Sequence, residues 1–333
     1  MESLVKGFKE NKAFRFTSLL VVLLLVITLL APVIAPHDPL TAVMKDANQA
    51  PSAAHLFGTD KLGRDVLSRI LYGASYSLTS VIALVACIFV VGTTMGIISG
   101  YFGGIVDIVI MRIADMMISF PGVILAIAIA GIMGGSLINA MIALTAVTWT
   151  KYARLSRSMV LKIKRREFVD AAVVSGGSAA HILWVHILPN ILPLMVITAA
   201  ADIGAMMMEL AGLSFLGFGS QPPAPEWGLM LNEGRQQLQT APWLMFFPGL
   251  SIFITVVVFN LWGDSLRDVL DPRHDGYGSG FAPRAWCPVI TCERGSAGST
   301  GSEGSTGVVR RIKIWKRRGV LKLAVFSYRK PNP

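Results

Sequence analysis

The sequence predicts an all-α polytopic membrane protein with six transmembrane helices, and two observations carry that prediction. Hydrophobic residues make up 53% of the 333-residue chain and charged residues only 15%, against roughly 25% charged in soluble domains. The apolar residues also fall in long uncharged blocks, such as 16–35 and 78–99, and a helix of about 20 such residues crosses the hydrocarbon core. A water-soluble enzyme does not fit this composition.

Block 16–35 follows Lys6, Lys9, Lys12 and Arg15, the charge pattern that opens a signal peptide. Its apolar stretch exceeds the roughly 7 to 15 residues of a signal sequence, and Ala35-Pro36 is not a small-x-small cleavage site. It therefore reads as an uncleaved first span behind a cytoplasmic N-terminus over 1–15. Further spans are expected at 78–99, 105–132, 137–149, 187–210 and 243–262. The fourth is too short to cross alone, so its helix should continue toward Arg157 with its charged end in the interface.

Orientation follows from where Lys and Arg collect in short loops. Lys151, Arg154, Arg157, Lys162, Lys164, Arg165 and Arg166 lie together with no acid among them, so the 151–186 loop is expected in the cytoplasm. Six spans starting inside then put both termini on that side, and 36–77 and 211–242 outside. The expected setting is a prokaryotic cytoplasmic (inner) membrane.

The net charge of +10 does not describe the core. Residues 1–275 carry 19 Lys plus Arg against 18 Asp plus Glu, a net of +1, while 276–333 carry 11 against 2, a net of +9. Nucleic-acid binding by the core is not indicated, and a polybasic tail beside a bilayer more often meets anionic lipid. The Gly/Ser-rich stretch 276–308 and the basic run after it cannot bury a core and read as a disordered linker and end. The six-span domain thus covers 16–275. Cys87 lies in an apolar run and Cys287 and Cys292 in the tail, which makes neither a disulfide framework nor a zinc pattern.

The segment Arg165-Arg166-Glu167-Phe168-Val169-Asp170-Ala171-Ala172, with Gly176 and then Leu188-Pro189, carries the strongest functional signal. Charged residues followed by small ones let a short helix lie in a partner's groove, and a glycine can end it before the next span starts. A basic loop that serves topology alone explains the charges equally well.

Asp170-Ala171-Ala172 with Gly176 and Leu188-Pro189 resembles the EAA signature of ABC importer permeases, with Asp170 where the general signature has Glu and His186 where it has Ile. Further stretches resemble the branch that imports dipeptides, oligopeptides and nickel. They are Phe57 to Asp60 with Gly63-Arg64-Asp65, Tyr101 to Gly104 with Asp107, Leu213 to Gly217, Pro225 to Gly228, and Gly263-Asp264 through Asp271-Pro272. The resemblance covers most of 1–275 and implies a type I ABC importer permease fold with a cytoplasmic coupling helix. It assigns ATPase coupling to Arg166, Glu167, Asp170, Ala171, Ala172 and Gly176. The implied partners are a second permease in a heterodimer, two ATP-binding subunits, an extracytoplasmic substrate-binding protein and the lipid bilayer. No cofactor is expected on this chain, since ATP and Mg belong to the ATPases. Resemblance around 149–157, 166–168 and 207–215 favours nickel or a nickel chelate over peptides.

In the outer segment Asp60, Arg64, Asp65 and Arg69 are spaced for helical ion pairing behind a Gly58-Thr59-Asp60 turn. A capped helix outside the membrane is expected there, bracing the outer mouth or contacting a binding protein. Gly92, Gly96, Gly100 and Gly104 recur every four residues and leave a flat stripe for a neighbouring helix, in this chain or a partner. Arg112 and Asp115 can neutralise one another. Pro121 and Pro189 can kink or start their spans. The Met206-Met207-Met208 run suits flexible packing, and Glu209 on the same span is a candidate pathway residue.

No catalytic or metal residues are assigned. The histidines show no i,i+4 pair and no H-E-x-x-H, and neither a phosphate loop nor a nucleophile elbow is present. A self-contained secondary carrier or channel is the alternative reading, but the internal repeat common in such carriers is missing and the docking-like loop would be unexplained.

Overall fold

The computed structural model describes residues 11–270 and, further on, the backbone of two short strands. The chain divides into two units, Met1–Gly278 and Ser279–Pro333.

The first unit is helical. Helix α1 (Lys12–Ile34) starts where the Asn11 side chain accepts hydrogen bonds from the N–H groups of Ala13 and Phe14, at 2.9 and 3.2 Å. Helix α2 (Val66–Phe102) has 37 residues, about 55 Å at 1.5 Å per residue, so it projects well beyond the hydrocarbon core. It begins at Val66 rather than at 78 because the polar residues of its first turns are buried by the segments around them, Arg69 at 1% exposure among them. Then come α3 (Gly104–Ile118), α4 (Gly122–Met133), α5 (Leu137–Ile163), the short α6 (Glu167–Val174), α7 (Ala179–Phe215), α8 (Trp227–Arg235) and α9 (Trp243–Leu270).

Helices α1, α2, α7 and α9 are each long and apolar enough to cross a membrane, and α3 with α4 makes a fifth if that bent pair is one span. The expected third span, 105–132, is therefore not a continuous helix: α3 and α4 meet at 94°. Pro121, the N-cap of α4, has no N–H to continue the ladder and disfavours helical backbone at the residue before it. Helix α5 does continue past Arg157, to Ile163. Its Lys151, Arg154, Arg157 and Lys162 keep it less apolar than those helices, so among the described residues four or five of the six expected spans stand out by length and composition.

The glycine stripe of α2 faces α5 of the same chain. A methyl group on Gly92 would meet Trp149 O and Tyr152 Cβ at 2.5 Å, and one on Gly100 would meet Val160 Cβ at 2.9 Å. One on Gly96 would strike Ser156 Oγ and Ala153 O. Gly104 lies beyond the contact, with open space around it. Leu84, Ile88, Leu144, Tyr152, Ile191, Met195 and Met207 form part of the continuous core that this approach closes over. Leu29, Val33, Ile105, Ile132 and Phe246 point outward at 62% exposure or more, an apolar surface that water does not tolerate over such an area.

In the second unit β1 (Val309–Arg317) and β2 (Val320–Tyr328) pair antiparallel, with Val309 opposite Tyr328 and Arg317 opposite Val320. Composition masked this pair, although Arg311 and Lys313 alternate with Ile312 and Ile314 in the period-two pattern of a strand. The expected linker at 276–308, with Cys287 and Cys292, lies outside the described residues, as do residues 1–10.

Candidate functional site

The loop between α5 and α7 holds α6, and its ends are defined by local chemistry. Arg166 is the N-cap, in extended conformation. Glu167 and Asp170 sit in the first turn, where negative charge is favoured by the exposed N–H groups and the helix dipole. The helix ends in a Schellman motif: Gly176 N–H donates to Val173 O and Gly177 N–H to Ala172 O, both at 3.0 Å. Gly176 has φ +81° and open space around it. Conformation, not crowding, therefore requires glycine there.

One side of α6 holds it to the core and the other is free. Val169 is 2% exposed and joins the core cluster, with Ala172 packed beside it. Glu167, Asp170 and Ala171 are exposed, as are Phe168 and the apolar pair Val173 and Val174, the last at 88%. After Gly176 the chain enters α7 through a π-helical stretch, Ile182–Ile187; such wide turns are rare and often mark functional positions. The Phe168 and His186 rings lie 6.3 Å apart, which ties the free helix to that turn.

A second group of charges lines the helices themselves. Lys151 Nζ donates to both Asp202 oxygens at 2.7 and 2.8 Å, and Tyr152 Oη donates to Asp202 at 3.0 Å. Arg157 pairs with Asp107 at 2.5 Å, and Ser99 Oγ also bonds Asp107. Asp115 accepts from Arg154 on α5 at 2.6 Å, so the expected Arg112–Asp115 pair is replaced by a link between helices. Glu209 is half-buried and lines an open cavity of about 320 Å³ with Lys151, Thr148 and Phe120 at the α3–α4 break. The partners Asp202 and Asp107 went unassigned in the sequence because each is a lone acid whose cation lies about 50 residues away, at separations of 51 and 50.

The segment before α2 is built differently from the sequence expectation. Residues 58–65 form turns with a Thr59–Asp65 bridge, and the helix cap is Asp65, which accepts from Ser68 N–H at 2.8 Å. Gly58 at φ +76° and Gly63 at φ +73° supply the turns. Asp60 and Arg64 do pair, Nε to Oδ2 at 2.6 Å, but within a turn. Arg69 Nη1 donates to the same Asp60 oxygen at 2.6 Å.

The missing member is Glu233 on α8, which accepts from Arg69 at 2.8 Å and from Arg64 at 3.2 Å. Two arginines and two carboxylates thus close a buried network. Asp65 stands apart from it, beside His55 at 3.0 Å. Helix α8 is itself capped by buried Glu226, which accepts from Gly228 and Leu229 N–H at 2.9 and 2.8 Å. Burial pushes the Glu226 carboxyl above the usual glutamate value, and those two N–H groups oppose the shift.

A polytopic helical unit with an exposed, core-anchored short helix in its most basic loop has a counterpart among known families. Residues 92–276 match the family described as "Binding-protein-dependent transport system inner membrane component". The chain belongs to this family.

Residues 3–51 of the permease also match "N-terminal TM domain of oligopeptide transport permease C". It is 42% identical over 268 residues to "Dipeptide transport system permease protein DppC" of Alkalihalophilus pseudofirmus, covering 80% of this chain and 88% of that one. With "Glutathione transport system permease protein GsiD" of Pectobacterium atrosepticum it shares 43% over 256 residues, 77% and 85% of the two chains. With "Nickel transport system permease protein NikC" of Escherichia coli K12 it shares 41% over 259 residues, 78% and 94%. Among solved structures the fold resembles the inward-facing MetNI methionine ABC transporter, with TM-score 0.49 and 19% identity over 61% of this chain and 97% of that one.

The permease is therefore a multi-pass inner-membrane subunit of an ABC importer and is not itself catalytic. Hydrolysis of ATP belongs to separate subunits.

Proposed function

We propose that this permease forms half of a translocation pathway, beside a second permease in a heterodimer, and that two ATP-binding subunits drive it through α6. The observation that carries this reading is the construction of α6. Val169 fixes it to the core, Glu167, Phe168, Asp170 and Val174 are left exposed, and the chain then runs directly into α7 through the π-helical turn. A push on α6 is thereby transmitted to a spanning helix. ATP and Mg stay on the partner subunits, and this chain supplies no catalytic cofactor and binds no nucleic acid.

In this reading the 151–186 loop and both termini face the cytoplasm, in keeping with the seven basic residues from Lys151 to Arg166. The segment 36–77 and helix α8 face outward, where an extracytoplasmic binding protein delivers the solute. Most substrate affinity resides in that protein, because a deep well in the pathway slows release.

The solute is a small carboxylate-bearing molecule, a nickel chelate or a short peptide. Resemblance of 149–157 and 207–215 to nickel-type permeases favours the chelate, and Glu209 beside Lys151 lines the cavity it passes. Uptake of labelled nickel and labelled dipeptide in cells carrying the complete operon separates the two, and uptake of dipeptide alone rejects nickel. For the coupling, Asp170→Arg or Gly176→Pro is expected to abolish uptake and co-purification with the ATPases while membrane insertion persists. Unchanged co-purification would reject α6 as the docking element.

A further inference from the structure

We infer that His37, His55 and Asp65 form a binding site for a divalent first-row transition metal, with zinc as the reference ion. The three residues come from separate stretches: His37 just after α1, His55 in the following loop, and Asp65 at the cap of α2. Their ligand atoms all lie within 4.8 Å of one another. Spacing in the sequence hides the set, since no two of these residues share a helix face.

The distances suit one small ion. Asp65 Oδ1 lies 3.0 Å from His55 Nδ1, and Asp65 Oδ2 lies 3.9 Å from His37 Nδ1. Ligand atoms of a tetrahedral zinc at about 2.0–2.1 Å sit roughly 3.3–3.4 Å apart, so the cluster closes on an ion by side-chain adjustment within its 4.8 Å spread. The imidazole rings lie 4.9 Å apart, centroid to centroid. Two imidazoles with one carboxylate are donors that zinc, copper and nickel accept.

The carboxylate is also oriented as a metal ligand requires. Asp65 Oδ2 is held by Ser68, through its N–H at 2.8 Å and its Oγ at 2.7 Å. Oδ1 is left toward His55. Ser68 Oγ in turn accepts from His37 N–H at 3.1 Å, so one hydroxyl fixes both the carboxylate and the histidine backbone. Such an outer layer of hydrogen bonds is what raises affinity in built metal sites. Asp65 is buried and His37 is half exposed, beside an open cavity of about 500 Å³ lined by Tyr72, Tyr76 and Pro225. That opening gives the ion a way in and leaves a coordination position for water.

Bound metal clips the end of α1 and the outer loop to the start of α2, whatever solute the permease carries. The test uses the permease with its partner subunits in lipid nanodiscs, purified through a tag free of histidine, and zinc chloride as the probe in equilibrium dialysis. Wild-type protein is expected to hold one zinc ion more than His37→Ala, and to show a rise in Tm with zinc that His37→Ala lacks. His181→Ala, at a histidine far along the chain, should bind as wild type does. His55→Ala should also lose the ion. If that variant fails to fold, half-exposed His37 still decides the matter through His37→Gln. Equal zinc binding by wild type and the His37 variants overturns the inference.

Discussion

Arg69 and Glu233 are 164 residues apart in the chain, yet Arg69 Nη1 donates to Glu233 at 2.8 Å in a setting where Arg69 is 1% exposed. The contact joins the first turn of α2 to α8. The same arginine nitrogen also reaches Asp60, so the two carboxylates share one cation and Arg64 completes the charge balance. Arg69 Nε and Nη2 and Gln237 Oε1 are buried without protein partners, and both residues line one small cavity. Its volume of about 10 Å³ is near the lower limit for one water.

Removing one partner of such a network leaves an uncompensated buried charge, which costs about 3–5 kcal/mol. Glu233→Ala is expected to lower thermal stability of the purified permease by that order, with Glu233→Asp less severe. A change in unfolding free energy no larger than that of a surface mutation would show that the network contributes little.

The glycine stripe makes a position-specific prediction. Gly96→Val places a side chain against Ser156 and Ala153, and overpacking of this kind costs about 1–3 kcal/mol or more. Gly104→Ala meets nothing within 4 Å, so only its left-handed backbone, φ +53°, opposes the change, by about 1–2 kcal/mol. Melting curves of the two variants in one detergent should therefore rank Gly96→Val well below Gly104→Ala. The reverse order would mean that α2 does not pack on α5 through the stripe.

At α6 the helix end and the anchor can be separated. Gly176→Ala retains space but strains the backbone by about 1–2 kcal/mol, so uptake should fall partially rather than vanish. Val169→Asp puts a charge into the core contact and should abolish ATPase association. Pull-down with the ATPase subunits and uptake in the same cells check both. Full activity of Val169→Asp would remove α6 from the coupling account.

Deleting residues 276–333 should leave transport nearly intact, since helices α1 to α9 lie within the first unit. Uptake in a strain lacking the native gene measures this. A severe loss would assign the basic tail a working role.

Much of this architecture was legible because hydrophobic blocks set the spans and basic residues set the loop. Helix α5 was recoverable from too short an apolar stretch, because Arg157 and its neighbours extend a helix into the interface. The break at Pro121 was only half legible: proline marks a kink, but nothing local fixes a 94° bend. The Asp60–Arg64–Arg69 group was visible as spacing. Glu233 was not, because an ion pair between distant segments leaves no periodic trace. The same holds for Asp202 with Lys151 and for His37 with Asp65. The tail strands are hidden by an overall composition dominated by Gly, Ser and basic residues, against which the alternation from Arg311 to Ile314 is short.

The most direct measurement is solute transport in proteoliposomes that contain this permease and its partner permease, with and without the two ATP-binding subunits. Accumulation is expected only when ATPases, ATP and binding protein are all present, and none when Asp170→Arg replaces the wild-type permease. Solute accumulation by the permeases alone, or undiminished ATP-driven uptake by Asp170→Arg, would contradict it.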